Sequence, residues 1–207
     1  MATNRTKPAR RDLDARRDAI ISAAAELFSR KGFRETTLDD IMGALGVSGA
    51  AYYYYYDKKE DVLEAILDHA LARVEDRFDA VMSSDMSSGQ RVAAVLRAHA
   101  LVIANNAAAA SVLFNEIARA RPGYAKQIRS RMRAYTDRLV ELYREGIQTG
   151  ELVDEDPVLA VYCMLGQANW IAQWYPSMHQ ADPDRVADIV SASAFRSFAV
   201  RDMMHKG

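Results

Sequence analysis

Cysteine is nearly absent from this chain of 207 residues, which holds one, Cys163. A lone thiol excludes an internal disulfide and a paired-cysteine metal site, and it fits a reducing compartment. It reads best as a small buried apolar residue. Proline and glycine are scarce too, at five and ten residues. With few helix breakers and abundant Ala, Arg, Leu, Asp and Glu, the composition predicts an all-α fold. No apolar run reaches the roughly 18 residues of a membrane span, and the first residues hold no apolar signal core. The expectation is a cytoplasmic protein with no membrane partner. An excess of one charge is also missing: 27 Lys and Arg against 28 Asp and Glu leave a net charge of −1. Affinity for a polyanion must then come from a local patch.

Catalytic signatures are missing as well. There is no Gly-rich phosphate loop, no His-Glu-x-x-His and no Ser/His/Asp grouping. His69, His99, His179 and His205 are scattered, with no two at ligand spacing. The sequence nominates no catalytic residue, no metal and no cofactor. An enzyme is the rival class, and a gel shift with the protein's own promoter fragment separates the two.

What is present is concentrated in residues 37–59. Thr37 can cap a short helix, with Asp40 three residues on closing a capping-box-like pair. Leu38, Ile41, Met42 and Leu45 repeat at helical spacing. Gly46 stands where a helix ends at positive φ. Val47 can plug the corner, and Ser48 can cap a second helix running to about Tyr55. Asp57 with Glu60 repeats the capping pattern for a longer helix. Two short helices joined by a Gly-containing turn make a helix-turn-helix, whose second helix can enter the DNA major groove. Its outward face carries Gly49, Ala50, Tyr53 and Tyr54: small residues for close approach, then phenols that can reach phosphate. Tyr52 and Tyr56 should point inward.

Residues 17–66 resemble the TetR family of bacterial transcriptional regulators. The matching residues are Ile20-Ile21, Ala23-Ala24, Leu27-Phe28, Gly32-Phe33, Thr36-Thr37, Ile41, Leu45-Gly46-Val47-Ser48, Tyr53, Lys59-Glu60 and Leu63. The resemblance implies that Thr36 and Thr37 meet phosphate at a helix start. It implies that Tyr53, Tyr54 and Tyr55 touch phosphate or sugar, that Lys59 holds phosphate, and that Ser48, Gly49, Ala50 and Ala51 face base edges. Where this chain has Gly49-Ala50-Ala51, members often have Lys or Arg, then Gly, then Thr, so the usual donors are missing.

Residues 1–11 hold Arg5, Lys7, Arg10 and Arg11 without an acid. Such an arm can enter the minor groove or hold phosphate, or it can be a solubilising tail. A first helix is expected over 14–31 and a fourth over 58–81. The Ser/Gly-rich stretch 83–89 is the clearest loop. Five body helices follow, over about 90–104, from 107 to about 120, then 124–148, 157–175 and 183–203. Asp156-Pro157 and Asp182-Pro183 are strong helix starts. The expected architecture is about nine helices: a head over 1–57 and a ligand-binding and dimerisation body over 58–207. The family builds its dimer from the two final helices, and Val186, Ile189, Val190, Ser193 and Ser197 share one face here.

Leu113, Phe114, Asn115, Tyr124, Tyr162, Gly166, Trp170 and Trp174 are candidate lining residues of a ligand pocket. Plain core or dimer packing is the alternative. Between Glu116 and Asp137 the chain carries Arg119, Arg121, Lys126, Arg129, Arg131 and Arg133 with no acid. Such a run is usually a solvated face; its sharper meaning is a clamp for a phosphate-bearing ligand. The stretch 169–175 looks similar to the penultimate helix of TetR-like regulators that bind fatty or sterol acyl-CoA thioesters. The functional expectation is a homodimeric repressor on double-stranded, palindromic operator DNA, released by a small hydrophobic effector such as an acyl-CoA. The second expectation is an effector-independent DNA-binding accessory factor.

Overall fold

The computed structural model describes residues 10–178 and 181–200. Among them are nine α-helices: α1 (Arg10–Lys31), α2 (Leu38–Leu45), α3 (Gly49–Tyr53), α4 (Lys59–Met82), α5 (Ser88–Asn105), α6 (Ala107–Glu116), α7 (Pro122–Gln148), α8 (Pro157–Trp174) and α9 (Pro183–Arg196). Short 3₁₀ turns follow α6 (Ile117–Arg119) and α8 (Tyr175–Ser177). Residues 1–9, with Arg5 and Lys7 of the basic arm, lie outside the described residues.

Local chemistry places most boundaries. Thr37 caps α2: its hydroxyl accepts from the Asp40 N–H at 3.1 Å, and the Asp40 carboxylate accepts the Thr37 N–H at 2.9 Å. Gly46 ends that helix at φ 63°, a conformation that strains any residue with a Cβ. Asp156 and Asp182 cap α8 and α9, each followed by proline in the first turn. The box at α4 sits one residue later than Asp57/Glu60 would place it. Lys58 is the N-cap, and its N–H donates to Asp61 at 3.0 Å. Ser48 occupies the N-cap of α3 without a side-chain hydrogen bond, and Val47 is exposed rather than plugging the corner.

The last helix stops at Arg196, short of the expected 203. The chain then extends and pairs with the α7–α8 connection: Val153 N–H donates to Phe198 O at 2.9 Å, and Val200 N–H to Glu151 O at 3.1 Å. Phe198 packs edge-on against Tyr143. That long-range pairing competes successfully with continued helix.

Head and body share one core. Phe28 packs edge-on against Phe33 at 5.1 Å between centroids, and the same cluster runs through Leu63, Ile66 and Leu67 of α4 to Leu96, Leu139 and Val161. Each such side chain contributes roughly 1.5–3 kcal/mol by leaving water. A second cluster joins α5, α6, α8 and α9 around Ile103, Ile171 and Ala187. Helix α4 bridges head and body, as expected from the sequence. No single helix among the described residues is long and apolar enough to cross a membrane.

Candidate nucleic-acid interface and internal cavity

Helix α2 packs on α1, and Ile41 of α2 and Tyr52 of α3 are both fully buried in the cluster that includes Ile20, Ala24 and Phe28 of α1. Tyr56 is buried as well and accepts from Arg17 Nε at 3.2 Å. The alternation expected of the tyrosine run is therefore present: Tyr53 and Tyr54 are 52% and 69% exposed, and Tyr55 is half-buried. Ser48 and Ala50 are exposed and Gly49 is half-buried. Ala51 lies in α3, and its side chain is outside the described residues. The outer face of α3 thus presents small groups first and phenols after, with room to approach a groove floor.

Two expected contact residues are engaged elsewhere. Thr36 is fully buried, and its hydroxyl donates to Gly32 O at 2.9 Å, so it ties the α1–α2 turn and cannot reach a phosphate. Lys59 turns back under the head. Its ammonium donates to Phe33 O at 2.6 Å, Thr36 O at 2.6 Å and Arg34 O at 3.3 Å, and sits 4.4 Å from the centre of the Phe33 ring. Three protons meet three carbonyls, leaving no donor for DNA. Its neighbour Lys58 is exposed and has no ion-pair partner among the described residues. The one-residue shift in the α4 cap is the signal that could have found it. Thr37 is exposed at the start of α2, but its hydroxyl also donates to Asp40. The Thr37 N–H and hydroxyl and the Lys31 ammonium hold the Asp40 carboxyl down at about 2.

In the body, a cavity of about 70 Å³ lies between α4, α5, α6, α7 and α8. Leu113 and Phe114 line it as expected, with Leu71, Val74 and Leu165. Its polar edge is a chain the sequence did not announce. His99 is buried, with Nδ1 3.0 Å from the Tyr135 hydroxyl and Nε2 2.8 Å from Asn169 Oδ1. An amide oxygen only accepts, so Nε2 carries the proton and Nδ1 accepts from Tyr135. Burial lowers the His99 pKa and raises that of Tyr135, so both are neutral near pH 7.

The other expected lining residues lie elsewhere. Asn115 is exposed and donates to Ser111 Oγ at 3.1 Å, and Tyr124 donates to Glu64 O at 2.9 Å. Tyr162, Gly166 and Trp170 sit on the outer side of α8, where helical spacing turns them away from the cavity. With Leu159 and Ile189 they form an apolar face; Leu159, Tyr162, Trp170 and Ile189 are each about 60% exposed. Cys163 is exposed on the same face, contrary to the expectation of burial. Trp174 continues that surface beside Val186 and Ile189.

The arginine run does not form a clamp. Arg121 forks onto the buried Glu64, with Nε 2.7 Å from Oε1. Arg131 lies between Asp68 and Glu75 at 2.5 Å each, and Arg119 sits 3.6 Å from Glu116. These are α4–α7 and local ion pairs whose acids the run itself does not contain. Arg129 and Arg133 stay exposed, with no ion-pair partner among the described residues, and neither lines the cavity.

Two family models match the chain. One, described as bacterial regulatory proteins of the tetR family, covers residues 20–66; the other, a tetracyclin repressor-like C-terminal domain, covers 85–198. The HTH-type transcriptional repressor KstR2 of Mycobacterium tuberculosis is 25% identical over 170 residues, spanning 79% of this chain and 82% of its own. A TetR/AcrR-family transcriptional regulator from Thermobifida fusca YX-ER1 superposes with a TM-score of 0.67 at 36% identity, spanning 87% of this chain and 97% of that one. AibR, solved with isovaleryl coenzyme A and operator DNA, superposes with a TM-score of 0.74 at 24% identity over 87% of this chain and 98% of its own, a likeness of fold.

Proposed function

Since the chain belongs to the TetR family of bacterial transcriptional regulators, we propose that it represses transcription as an effector-controlled homodimer. The head, residues 1–57, binds double-stranded DNA, and the body, residues 58–207, dimerises and binds the effector. Helix α3 of each protomer enters the major groove of a palindromic operator, with the two heads about one turn apart, roughly 34–36 Å. Ser48, Gly49, Ala50 and Ala51 lie nearest the base edges, Tyr53, Tyr54 and Tyr55 along the backbone, and Thr37 at a phosphate. Lys58 takes the place expected of Lys59 as the cation at the start of α4. The protein works where the chromosome is, in the bacterial cytoplasm.

The observation that carries this reading is the pairing of an outward phenol-bearing α3 with an apolar cavity whose wall includes Ala70, Leu71 and Val74 of α4. An effector that binds better to the form with wrongly spaced heads draws the protein off DNA. The dimer face is the apolar surface of α8 and α9 around Tyr162, Trp170 and Ile189. A hydrophobic effector, an acyl-CoA among the candidates, fits the lining; the fold of AibR accommodates isovaleryl coenzyme A.

The test is a footprint and gel shift on the protein's own promoter fragment, with sedimentation alongside. Two protected half-sites one turn apart and a dimer that Ile189→Glu splits are expected. A folded monomeric wild type at micromolar concentration, or no shift on that fragment, would defeat the proposal.

A further inference from the structure

The cavity holds only about 70 Å³, against roughly 300–1,000 Å³ for pockets that enclose drug-sized ligands. An effector larger than a short apolar group must leave part of itself outside. On the far side of Val102 and Asn106 lies an open groove of about 900 Å³ between α4 and α5. Both residues line the cavity and the groove, so one wall separates the two spaces. That wall is the α5–α6 junction, where the chain bends by 94° and Asn106 Nδ2 donates to Val102 O at 2.8 Å.

The groove has a floor of small side chains, Ala72, Ala80, Ala94 and Ala98, and a basic rim. Arg73 and Arg77 are exposed and one helical turn apart on α4, with no ion-pair partner among the described residues. Arg97, further along, is held by Asp184 at 3.0 Å and Asp188 at 2.6 Å. Asp76 is the acid within the groove, and His69 also lines it. The contrast with the run from Arg119 to Arg133 is chemical: Arg119, Arg121 and Arg131 already hold carboxylates, whereas Arg73 and Arg77 have their guanidinium forks open.

The geometry points to a cationic subsite in the α4/α5 groove that takes the phosphate-bearing head of an amphiphile, whose apolar tail enters the cavity past Val102 and Asn106. It rests on the effector-controlled reading above and names the effector's class. The groove is too exposed for the arginines to act by charge alone, because salt screens them. Selectivity comes from two forks meeting phosphate oxygens while the tail is anchored across the wall.

The test is calorimetric titration of the full-length protein with octanol, octyl phosphate, octanoyl coenzyme A and coenzyme A alone. Both phosphate-headed octyl probes should bind at least tenfold more tightly than octanol. The double variant Arg73→Ala/Arg77→Ala should erase that preference, while Arg129→Ala/Arg133→Ala keeps it. Val102→Trp should block the wall, so that octanoyl coenzyme A binds no better than coenzyme A; circular dichroism checks that each variant is folded. Octyl phosphate matching the thioester identifies a simple phosphate head; a tighter thioester identifies a nucleotide head. Equal binding of octanol and octyl phosphate, no binding of either phosphate probe, or a preference that survives loss of both arginines overturns the subsite. An operator shift run in parallel separates the two claims. Release by octanol at the same concentration as by octyl phosphate keeps effector control and sinks the subsite. Operator binding that no probe disturbs, with the calorimetric preference intact, keeps the subsite and sinks effector control.

Discussion

Replacing Lys59 with alanine should weaken the fold and leave the electrostatics of operator binding alone. The ammonium joins three carbonyls of the α1–α2 connection, at 2.6, 2.6 and 3.3 Å, and packs on the Phe33 ring. A hydrogen bond to a charged group contributes about 1.5–3 kcal/mol net, and a cation over an aromatic ring about 0.5–2 kcal/mol. The three bonds share one charge and water can reach some of the freed carbonyls, so the total does not scale by three. A loss of about 2–3 kcal/mol is expected. With a slope of about 1–3 kcal/mol per molar urea, the midpoint should fall by about 0.7–3 M at fixed protein concentration. The salt dependence of operator affinity reports phosphate contacts, at about 0.9 of slope for each cation. Lys59→Ala should leave that slope unchanged, and Lys58→Ala should flatten it by about one unit. A Lys59→Ala protein with the wild-type urea midpoint and a flattened slope would refute the assignment and return Lys59 to the phosphate.

Three further outcomes follow from single contacts. Burial lowers the pKa of His99, and burial with the nearby Arg73 lowers that of His69, from the usual 6.5. The unfolded chain then binds more protons below that value, so stability is complete above pH 6.5 and falls as pH drops further, by up to about 1.4 kcal/mol per unit for each histidine; urea midpoints of wild type and His99→Gln between pH 7.5 and 5.5 should converge, and parallel curves would count against it. A Cβ on Gly146 would lie 2.7 Å from Leu152 Cγ, so Gly146→Ala should cost about 1–3 kcal/mol and Leu152→Ala in the same chain should recover part of it, as thermal melts would show. Glu116 accepts the Phe33 N–H at 3.3 Å, linking the end of α6 to the head; Glu116→Ala should leave operator affinity near wild type but blunt effector-driven release severalfold, and undiminished release in an anisotropy titration would rule that link out.

The parts of this molecule legible in the sequence are those whose cause is local. Thr37 with Asp40, Gly46, and the Asp-Pro pairs before α8 and α9 each act within three residues, so spacing alone reveals them. The inward turn of Tyr52 follows from helical period, and Tyr56, past the end of α3 at Tyr53, keeps that period through its N–H on Tyr52 O at 3.2 Å. Residue roles set by distant partners were not legible. Arg121 meets Glu64 across 57 positions, and Arg131 meets Glu75 across 56, so a run without acids looked free although α4 supplies the acids. Lys59 looked like a phosphate ligand because the carbonyls that hold it lie 23–26 residues earlier. Tyr162, Gly166 and Trp170 share a face as period predicts, but period cannot say whether that face meets a cavity or solvent. The end of α9 was misplaced because pairing with residues 151–153 replaces helix there.

These long-range pairs also bear on which helix yields when an effector enters. Helix α4 is tied to α7 by Arg121 to Glu64, Arg131 to Asp68 and Glu75, and Arg138 to Asp79, and to the head by Lys59. Exposed pairs contribute little singly, but they are spread along the helix and hold it against shear. Helix α6 is held differently, by packing on α1, α4 and α8 rather than by ion pairs to them. It begins after a 94° bend, its N-cap Asn106 makes no side-chain cap hydrogen bond, and it ends in a 3₁₀ turn. Ala110, Leu113 and Phe114 bring it onto the cavity, and Glu116 brings it onto Phe33. A tail crossing the wall at Asn106 therefore meets the helix without cross-helix ion pairs first. Displacing α6 would stretch the bond from Phe33 to Glu116 while α4 keeps its register on α7. Under the proposed release, the head is reached through α6 and the α1–α2 turn, with α4 as the fixed support against which α1, α2 and α3 turn.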